Sequence, residues 1–247
     1  MEEKGDYSEE ELPKLSLIEH LEELRKRIFL SLVAVSVVFI FTLFYSEKIF
    51  NLIALPLKKY LPEGSELVFT RLQEPFTLYV KVSFVSAVII SFPFILYQIW
   101  LYISPGLYRR EKKVLLPFFF FSLFLFLGGI LFAYFILFPN TCSFLLEIGK
   151  SFTPMISITE YFNLAIFVIL GVGVVFQIPI IITVLSYFGI LSPKFLIKNS
   201  RFAIFLIFLV AAVLSPTVDV VNLFIFALPM VFLYLISILL SFFFYGK

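Results

Sequence analysis

Two short segments of the sequence place carboxylates among cations, the arrangement that ion-pair chemistry requires. In LEELRKR (21–27), Glu23 precedes Arg27 by four residues, the spacing of an ordinary helical ion pair worth about 0.2–0.5 kcal/mol. In YRREKK (108–113), Glu111 stands alone among two arginines and two lysines. Spacing and charge alone therefore predict a local ion pair for Glu23 and local charge balance for Glu111.

The residues that enzymes use for metal binding and nucleophilic attack are scarce. Cys142 is the single cysteine, which excludes an internal disulfide and a multi-cysteine metal cluster. His20 is the single histidine, so zinc ligands are in short supply. The apolar segments hold no set of nucleophile, base and orienting group, and no Gly-rich phosphate loop is present. We predict that the chain is not an enzyme and needs no cofactor.

The composition indicates a membrane protein. Hydrophobic residues make up 61% of the 247 residues and charged residues 15%, against about 45–50% and about 25% in average chains. This gives roughly 150 apolar residues, and about 20 cross a bilayer as a helix, so some six spans are available. The net charge of +2 argues against a nucleic-acid partner, which would require a concentrated basic surface.

Hydropathy predicts an all-α polytopic membrane protein forming one domain over residues 1–247. The six predicted spans are 28–44, 76–101, 114–138, 161–188, 202–214 and 220–245. We expect the last two to be short helices, and the 13 residues of the fifth reach only about 20 Å. Pro93, Pro179 and Pro229 fall inside spans and predict kinks.

The residues before the first span are polar. We predict a polar lead over 1–15 and an amphipathic helix at the membrane surface over 16–27, which continues directly into the first span. Ser16 and Glu19 have the spacing of a capping box at the start of this helix.

Lysine and arginine counts predict the orientation. Thirteen of the 19 cations fall on the side of the termini and six on the other side. Because cations accumulate in cytoplasmic loops, both termini are predicted to be cytoplasmic in the cell's inner membrane.

Gln177 is the clearest polar residue within a span. An amide in hydrocarbon must find a partner, so Gln177 should face another helix or a wet cavity. Two interpretations stand side by side. It forms a hydrogen bond between two helices of this chain, or it docks a polar group of a partner helix.

Several motifs in order along the chain resemble the TatC family, the multi-spanning receptors of twin-arginine protein translocation. The resemblance rests on LEELRKR, ALPL, EPF, YQIWLYISPGLYRREKK, FAYFILFP, FQIP and SPTVD. By this resemblance, Glu23 and Glu111 correspond to the acidic residues that bind the paired arginines of signal peptides. Carboxylates suit this role because they pair bidentately with guanidinium groups, which lysine cannot match.

Other positions carry over from the family by motif. Arg25 and Tyr102 match positions that flank the recognition surface, and Pro56 and Asp219 match positions in the outer loops. The resemblance also implies partners: twin-arginine signal peptides, single-span proteins of the TatA and TatB type, further copies of the chain and the lipid bilayer. Docking of the single-span proteins is expected at a polar cluster of Ser215, Thr217 and Asn222.

Family relatives often carry glutamate where this chain has Gln177. Glutamine keeps the hydrogen-bonding groups but cannot ionise, which argues against any step that needs a titrating carboxylate there.

The sequence thus predicts a receptor for folded precursors, powered by the proton-motive force as in the family. A secondary transporter or channel is the alternative, disfavoured because no ionisable residue lies deep in a span and no internal repeat is visible. A membrane scaffold, a third possibility, would not depend on either glutamate.

Overall fold

The structure is a computed structural model that describes residues 17–61, 67–217 and 219–246. The predicted lead and Ser16 of the predicted capping box lie outside these residues. The described helices are α1 (Leu17–Phe44), α2 (Ser46–Lys58), α3 (Glu74–Ile103), α4 (Arg109–Phe132), α5 (Phe138–Ile148), α6 (Ile158–Val175), α7 (Ile178–Tyr187), α8 (Pro193–Lys198), α9 (Ser200–Leu214) and α10 (Val220–Phe244). Two short strands, β1 (Leu67–Val68) and β2 (Ile156–Ser157), pair in parallel.

Within the described residues, five helical stretches are long and apolar enough to cross a membrane, and α9 is a shorter sixth apolar helix. The stretches are Ile18–Phe44, Glu74–Gly106, Arg109–Ile148, Ile158–Tyr187 and Val220–Phe244. This architecture confirms the predicted six-span, all-α membrane fold.

Helix α10 is not short, and the prediction of a short sixth span is wrong. Its 25 residues extend about 38 Å, more than the roughly 30 Å hydrocarbon core. The apolar run after Asp219 continues without a break to Phe244, and Pro229 lies inside the helix without ending it. Only α9, with 15 residues and about 22 Å, is short.

The predicted surface helix and the first span form one helix. Helix α1 is continuous over 28 residues, about 42 Å, with neither glycine nor proline to interrupt it. The direct continuation into the first span is therefore seen, and the placement of the first turns along the membrane surface stays a prediction. The helix packs mainly on α3, where the Thr42 hydroxyl donates to the Ser83 carbonyl at 2.9 Å.

The third and fourth spans are not simple helices. A π-helical turn, Ala133–Leu137, joins α4 to α5, so this span continues to Ile148. The fourth span is broken between α6 and α7, at Phe176 and Gln177. Pro179 lies just after the break and has no N–H to continue the helical hydrogen-bond pattern.

Helix α6 lies in the centre of the main apolar core and contacts α3, α4 and α9. Gly129 of α4 faces Gly173 of α6, and a Cβ added at Gly129 would lie 3.1 Å from the Gly173 Cα and 2.8 Å from Phe176 Cγ. The two glycines therefore permit a close approach of the helix backbones, as small residues do in membrane proteins. This approach brings the break at Gln177 against α4.

Candidate functional site

Glu23 lies on α1 in a partly buried polar network. Its Oε1 is 3.0 Å from Nη2 of Arg27, and the two side chains are about one-fifth exposed. Nη1 of the same guanidinium donates to Oε1 of Gln98 at 3.4 Å, and Gln98, on α3, is only 4% exposed. The ion pair predicted from the i to i+4 spacing is therefore present within α1, and the hydrogen bond from Arg27 to Gln98 connects α1 to α3.

An aromatic contact joins the same two helices one turn further along. The ring of His20 stacks on Tyr102, with centroids 4.5 Å apart and planes inclined by 21°. The family motifs predict that Tyr102 flanks the recognition surface, whereas no motif indicates a role for His20 or Gln98. His20 precedes Glu23 by three residues, so the helical period alone puts both on one face of α1.

Glu111 caps the start of α4. Its Oε2 accepts a hydrogen bond of 2.9 Å from the backbone N–H of Tyr108, in the first turn of a helix that begins at Arg109. A carboxylate is favourable there because the first N–H groups of a helix lack partners and carry partial positive charge. This explains a lone acid among four cations, and the side chain remains partly exposed.

A small apolar cluster anchors this end of α4. Leu107, Leu115 and Phe118 are buried against Tyr187, the last residue of α7. The ring of Phe118 also meets Phe244 of α10 edge to face, with centroids 4.8 Å apart. The position of Glu111 is therefore set by packing against two other spans.

Glu23, Tyr102 and Glu111 lie at the same end of the helix bundle. The contacts of His20 and Gln98 place the start of α1 against the end of α3, and a 3₁₀ turn, Ser104–Gly106, leads from α3 to α4. Arg25 is exposed on α1 beside this group. The four residues predicted for signal-peptide binding are thus located at one end of the bundle, and their role in binding stays a prediction.

Gln177 lies away from this end and forms the interhelical hydrogen bond that was one of its two interpretations. Its Nε2 donates to the Ser122 carbonyl at 3.1 Å, and its Oε1 accepts from the Ser122 hydroxyl. Ser122 belongs to α4 and is buried. Both functional groups of the amide are engaged within the chain, and a partner at Gln177 stays a prediction.

The polar turn between α9 and α10 is held together by its own side chains. Ser215, Thr217 and Asn222 are buried, and the hydroxyls of Ser215 and Thr217 lie 3.0 Å apart. Asp219 caps α10 by accepting from the Asn222 backbone N–H at 2.7 Å and from its side-chain amide at 3.1 Å.

Desolvation raises the pKa of Asp219, but hydrogen bonds from Asn222 and Thr217 together outweigh it, so this pKa lies below its usual value. The turn is therefore built around an ionised carboxylate.

Pro56 is buried in the last turn of α2. A proline in a helix cannot donate to the carbonyl four residues earlier, here that of Leu52. The hydroxyl of Tyr134, in the π-helical turn, donates to this carbonyl at 2.6 Å. The hydroxyl of Tyr161 donates to the neighbouring carbonyl of Ile53 at 2.7 Å. Pro56 is thus part of the contact between α2 and the spans.

Residues 17–61, 67–217 and 219–246 contain no group of three or more histidine, cysteine, aspartate or glutamate side chains that could hold a metal ion. The fold and the polar end of α1, α3 and α4 define a class of protein: a multi-pass helical membrane protein with acidic side chains held near arginines at one end of its helices.

Comparison with known proteins identifies the family of this membrane protein. A family model described as Sec-independent protein translocase protein (TatC) matches residues 19–229. The chain belongs to the TatC family.

Relatives and solved structures agree over nearly the full length. A TatC protein from Koribacter versatilis is 40% identical over 247 residues, covering 99% of this chain and 91% of the relative. The TatC protein of Escherichia coli K12 is 35% identical over 232 residues, covering 94% and 90%. A crystal structure of the twin-arginine translocase receptor TatC superposes with a TM-score of 0.78 at 34% identity, over 91% of this chain and 99% of that one.

Family membership confirms the resemblance found in the motifs and the prediction that the chain is not an enzyme, since the family is a protein translocase component. The chain is a multi-pass protein of the inner membrane. The roles of individual site residues stay predictions.

Proposed function

We propose that this chain is the receptor that binds the paired arginines of twin-arginine signal peptides with Glu23 and Glu111. One observation carries this proposal: Glu23 already holds a guanidinium group, that of Arg27, at 3.0 Å in a partly buried setting. The same carboxylate therefore has the geometry and the environment to hold the arginine of a ligand.

Binding at Glu23 is an exchange. An incoming guanidinium replaces that of Arg27, which keeps a second partner in Gln98. Because the resident contact joins one oxygen to one nitrogen, a bidentate arginine from a ligand forms one hydrogen bond more. The aromatic pair of His20 and Tyr102 holds α1 against α3 while the exchange takes place.

Glu111 supplies the second carboxylate. Its carboxylate is oriented because the N-terminus of α4 favours negative charge and the backbone N–H of Tyr108 donates to its Oε2. The surrounding cations of the first turns of α4 repel a basic ligand, so the acid is the one attractive point for an arginine in YRREKK; these cations are Arg109, Arg110, Lys112 and Lys113. Two arginines thus meet two acids on separate helices.

The remaining features of the mechanism follow the predicted orientation. Both termini and the two glutamates face the cytoplasm, where folded precursors are presented. The apolar stretch of the signal peptide lies along the concave face that bears Gln177, and burial of its apolar surface adds to the affinity.

Short helix α9 thins the bilayer locally, near the turn of Ser215, Thr217 and Asn222, where TatA-type and TatB-type proteins assemble. Other copies of the chain take part, and the proton-motive force supplies the energy.

The test is co-purification of a twin-arginine signal peptide with membranes that contain Glu23→Gln or Glu111→Gln. Glutamine keeps the acceptor oxygen, including the one that caps α4, but removes the charge. Glu22→Gln is the matched control, because Glu22 is an exposed glutamate next to Glu23 on the same helix. We expect both test variants to lose binding and the control to retain it. Undiminished binding in both test variants would contradict the assignment.

A further inference from the structure

An open apolar groove lies on the side of α6 that faces α3 and α9. Its volume is about 750 Å³, and its lining includes Phe84 of α3, Gly171 and Val175 of α6, and Val213 of α9. A Cβ added at Gly171 would meet the end of the Leu214 side chain, which would have to shift, so the two helices are in close contact at this glycine. The groove is separate from Gln177, which faces α4.

A pair of polar side chains stands at one end of this groove. Nζ of Lys81 donates to Oδ1 of Asn163 at 3.4 Å, and both side chains are exposed. Among the described residues that line the groove, Lys81 is the only ionisable one. The arrangement leaves the lysine ammonium and the asparagine amide as hydrogen-bond donors at the mouth of an apolar channel.

The length of the groove along α6 corresponds to one leaflet of a bilayer. From Asn163 to Val175, α6 rises about 18 Å, close to half of a roughly 30 Å hydrocarbon core. Lys81 lies about two turns from the start of α3, and Asn163 lies five residues after the start of α6. The polar pair is therefore at the membrane boundary, and the apolar part ends near the midplane.

We infer that this groove binds an anionic phospholipid of the leaflet on the Lys81 side. The phosphate accepts hydrogen bonds from Lys81 and Asn163, and one acyl chain fills the groove as far as Val175. A positive charge at the boundary selects an anionic headgroup over a zwitterionic one. A transmembrane helix is a poorer fit, because it must cover the full thickness of the bilayer, about twice the length of the groove.

The lipid gives the short helix α9 a continuous apolar neighbour. Helix α9 is about 22 Å long and contributes Leu209, Val210, Val213 and Leu214 to the groove. Helix α9 is shorter than the hydrocarbon core is thick. An acyl chain held in the groove covers apolar surface of α9 where the surrounding bilayer does not match its length. Binding at this site is thus expected to stabilise the packing of α9 on α6.

Native mass spectrometry of the full chain in detergent, with added phosphatidylglycerol or phosphatidylcholine, tests this inference. We expect Lys81→Gln to weaken retention of phosphatidylglycerol roughly fivefold, the effect of one lysine beside an anionic lipid, and to leave phosphatidylcholine unchanged. The control is Lys59→Gln, which removes the charge of an exposed lysine outside the groove. Val213→Phe changes an exposed side chain, so the fold should tolerate it, and its larger ring should reduce retention of both lipids.

Two results would overturn the inference. One is equal retention of phosphatidylglycerol by Lys81→Gln and Lys59→Gln. The other is a photo-crosslinker at Val213 that labels a protein helix in membranes and no lipid. Neither result depends on signal-peptide binding, so the lipid site stands or falls separately from the proposed receptor function.

Discussion

The hydroxyl of Tyr134 donates a 2.6 Å hydrogen bond to the carbonyl of Leu52, the carbonyl that Pro56 leaves without its helical partner. This hydrogen bond joins the helix that contains ALPL (residues 54–57) to FAYFILFP (residues 132–139), a motif from a distant part of the chain. Pro56 has no N–H to donate to the Leu52 carbonyl, and the hydroxyl of Tyr134 donates to it instead.

This relationship predicts a coupled effect on stability. Tyr134→Phe should lower the free energy of unfolding by about 1 kcal/mol, because the Leu52 carbonyl loses its donor. In a Pro56→Ala background, the new backbone N–H of residue 56 can donate to the Leu52 carbonyl. Tyr134→Phe should therefore lower the free energy of unfolding by less in that background. Thermal unfolding of the four proteins in detergent measures the difference. Equal costs in both backgrounds would show that Tyr134 acts through packing alone.

The second prediction concerns the ion pair at Glu23. If a signal-peptide arginine must replace Arg27, then Arg27→Gln should raise the affinity for the peptide by about two- to fivefold, the worth of a partly exposed ion pair. Lys26→Gln removes an equal charge from the adjacent exposed position and is the control. The gain should vanish in a Glu23→Gln background. Titration of a labelled peptide measures each affinity, and weaker binding by Arg27→Gln would mean that Arg27 orients Glu23 instead of competing with the ligand.

Local spacing predicted the parts of the site that lie on one helix. The pair of Glu23 and Arg27 follows from the helical period, and the break beside Gln177 follows from Pro179 two residues later. Contacts between helices could not be predicted in this way. His20 and Tyr102 are 82 positions apart, and only the packing of α1 on α3 brings them together.

Hydropathy located all six spans but misjudged where helices continue. It ended the third span at residue 138, just before Pro139, yet Pro139 lies in the first turn of α5 and the helix continues to Ile148. It could not detect the π-helical turn at Ala133–Leu137, because the hydropathy of a segment is the same whether its residues form an α-helix or a π-helix.

The third prediction separates the two interpretations of Gln177. Ser122→Ala removes the hydroxyl that donates to Oε1 of Gln177 but keeps the backbone carbonyl that accepts from Nε2. We expect a loss of about 0.6 kcal/mol in stability, the average for interhelical hydrogen bonds in membranes. If the hydrogen bond to Ser122 is the only role of Gln177, then Gln177→Leu should reduce export of a twin-arginine precursor only in proportion to its loss of stability. A partner-helix crosslink at position 177 would instead favour docking.

The last prediction is a pH dependence from Asp219, which lies between α9 and α10, outside the spans. Burial raises the pKa of this carboxyl, but the hydrogen bonds from Asn222 and Thr217 outweigh it, so the folded-state pKa is depressed. A depressed pKa stabilises the fold above the unfolded-state value of about 3.9. That stabilisation is lost as the pH falls through the lower folded-state pKa.

Asp219→Asn isolates this effect because asparagine is as good an N-cap as aspartate but does not titrate. At neutral pH the wild-type chain should unfold at a higher temperature than Asp219→Asn, and the difference should shrink as the pH falls below about 4. Asp219→Ala should cost about 1 kcal/mol more than Asp219→Asn, since it removes the cap itself. Thermal unfolding at a series of pH values measures both differences. A gap between wild type and Asp219→Asn that is constant with pH would show that the carboxylate charge contributes nothing, and that Asp219 acts only as a hydrogen-bond acceptor for Asn222.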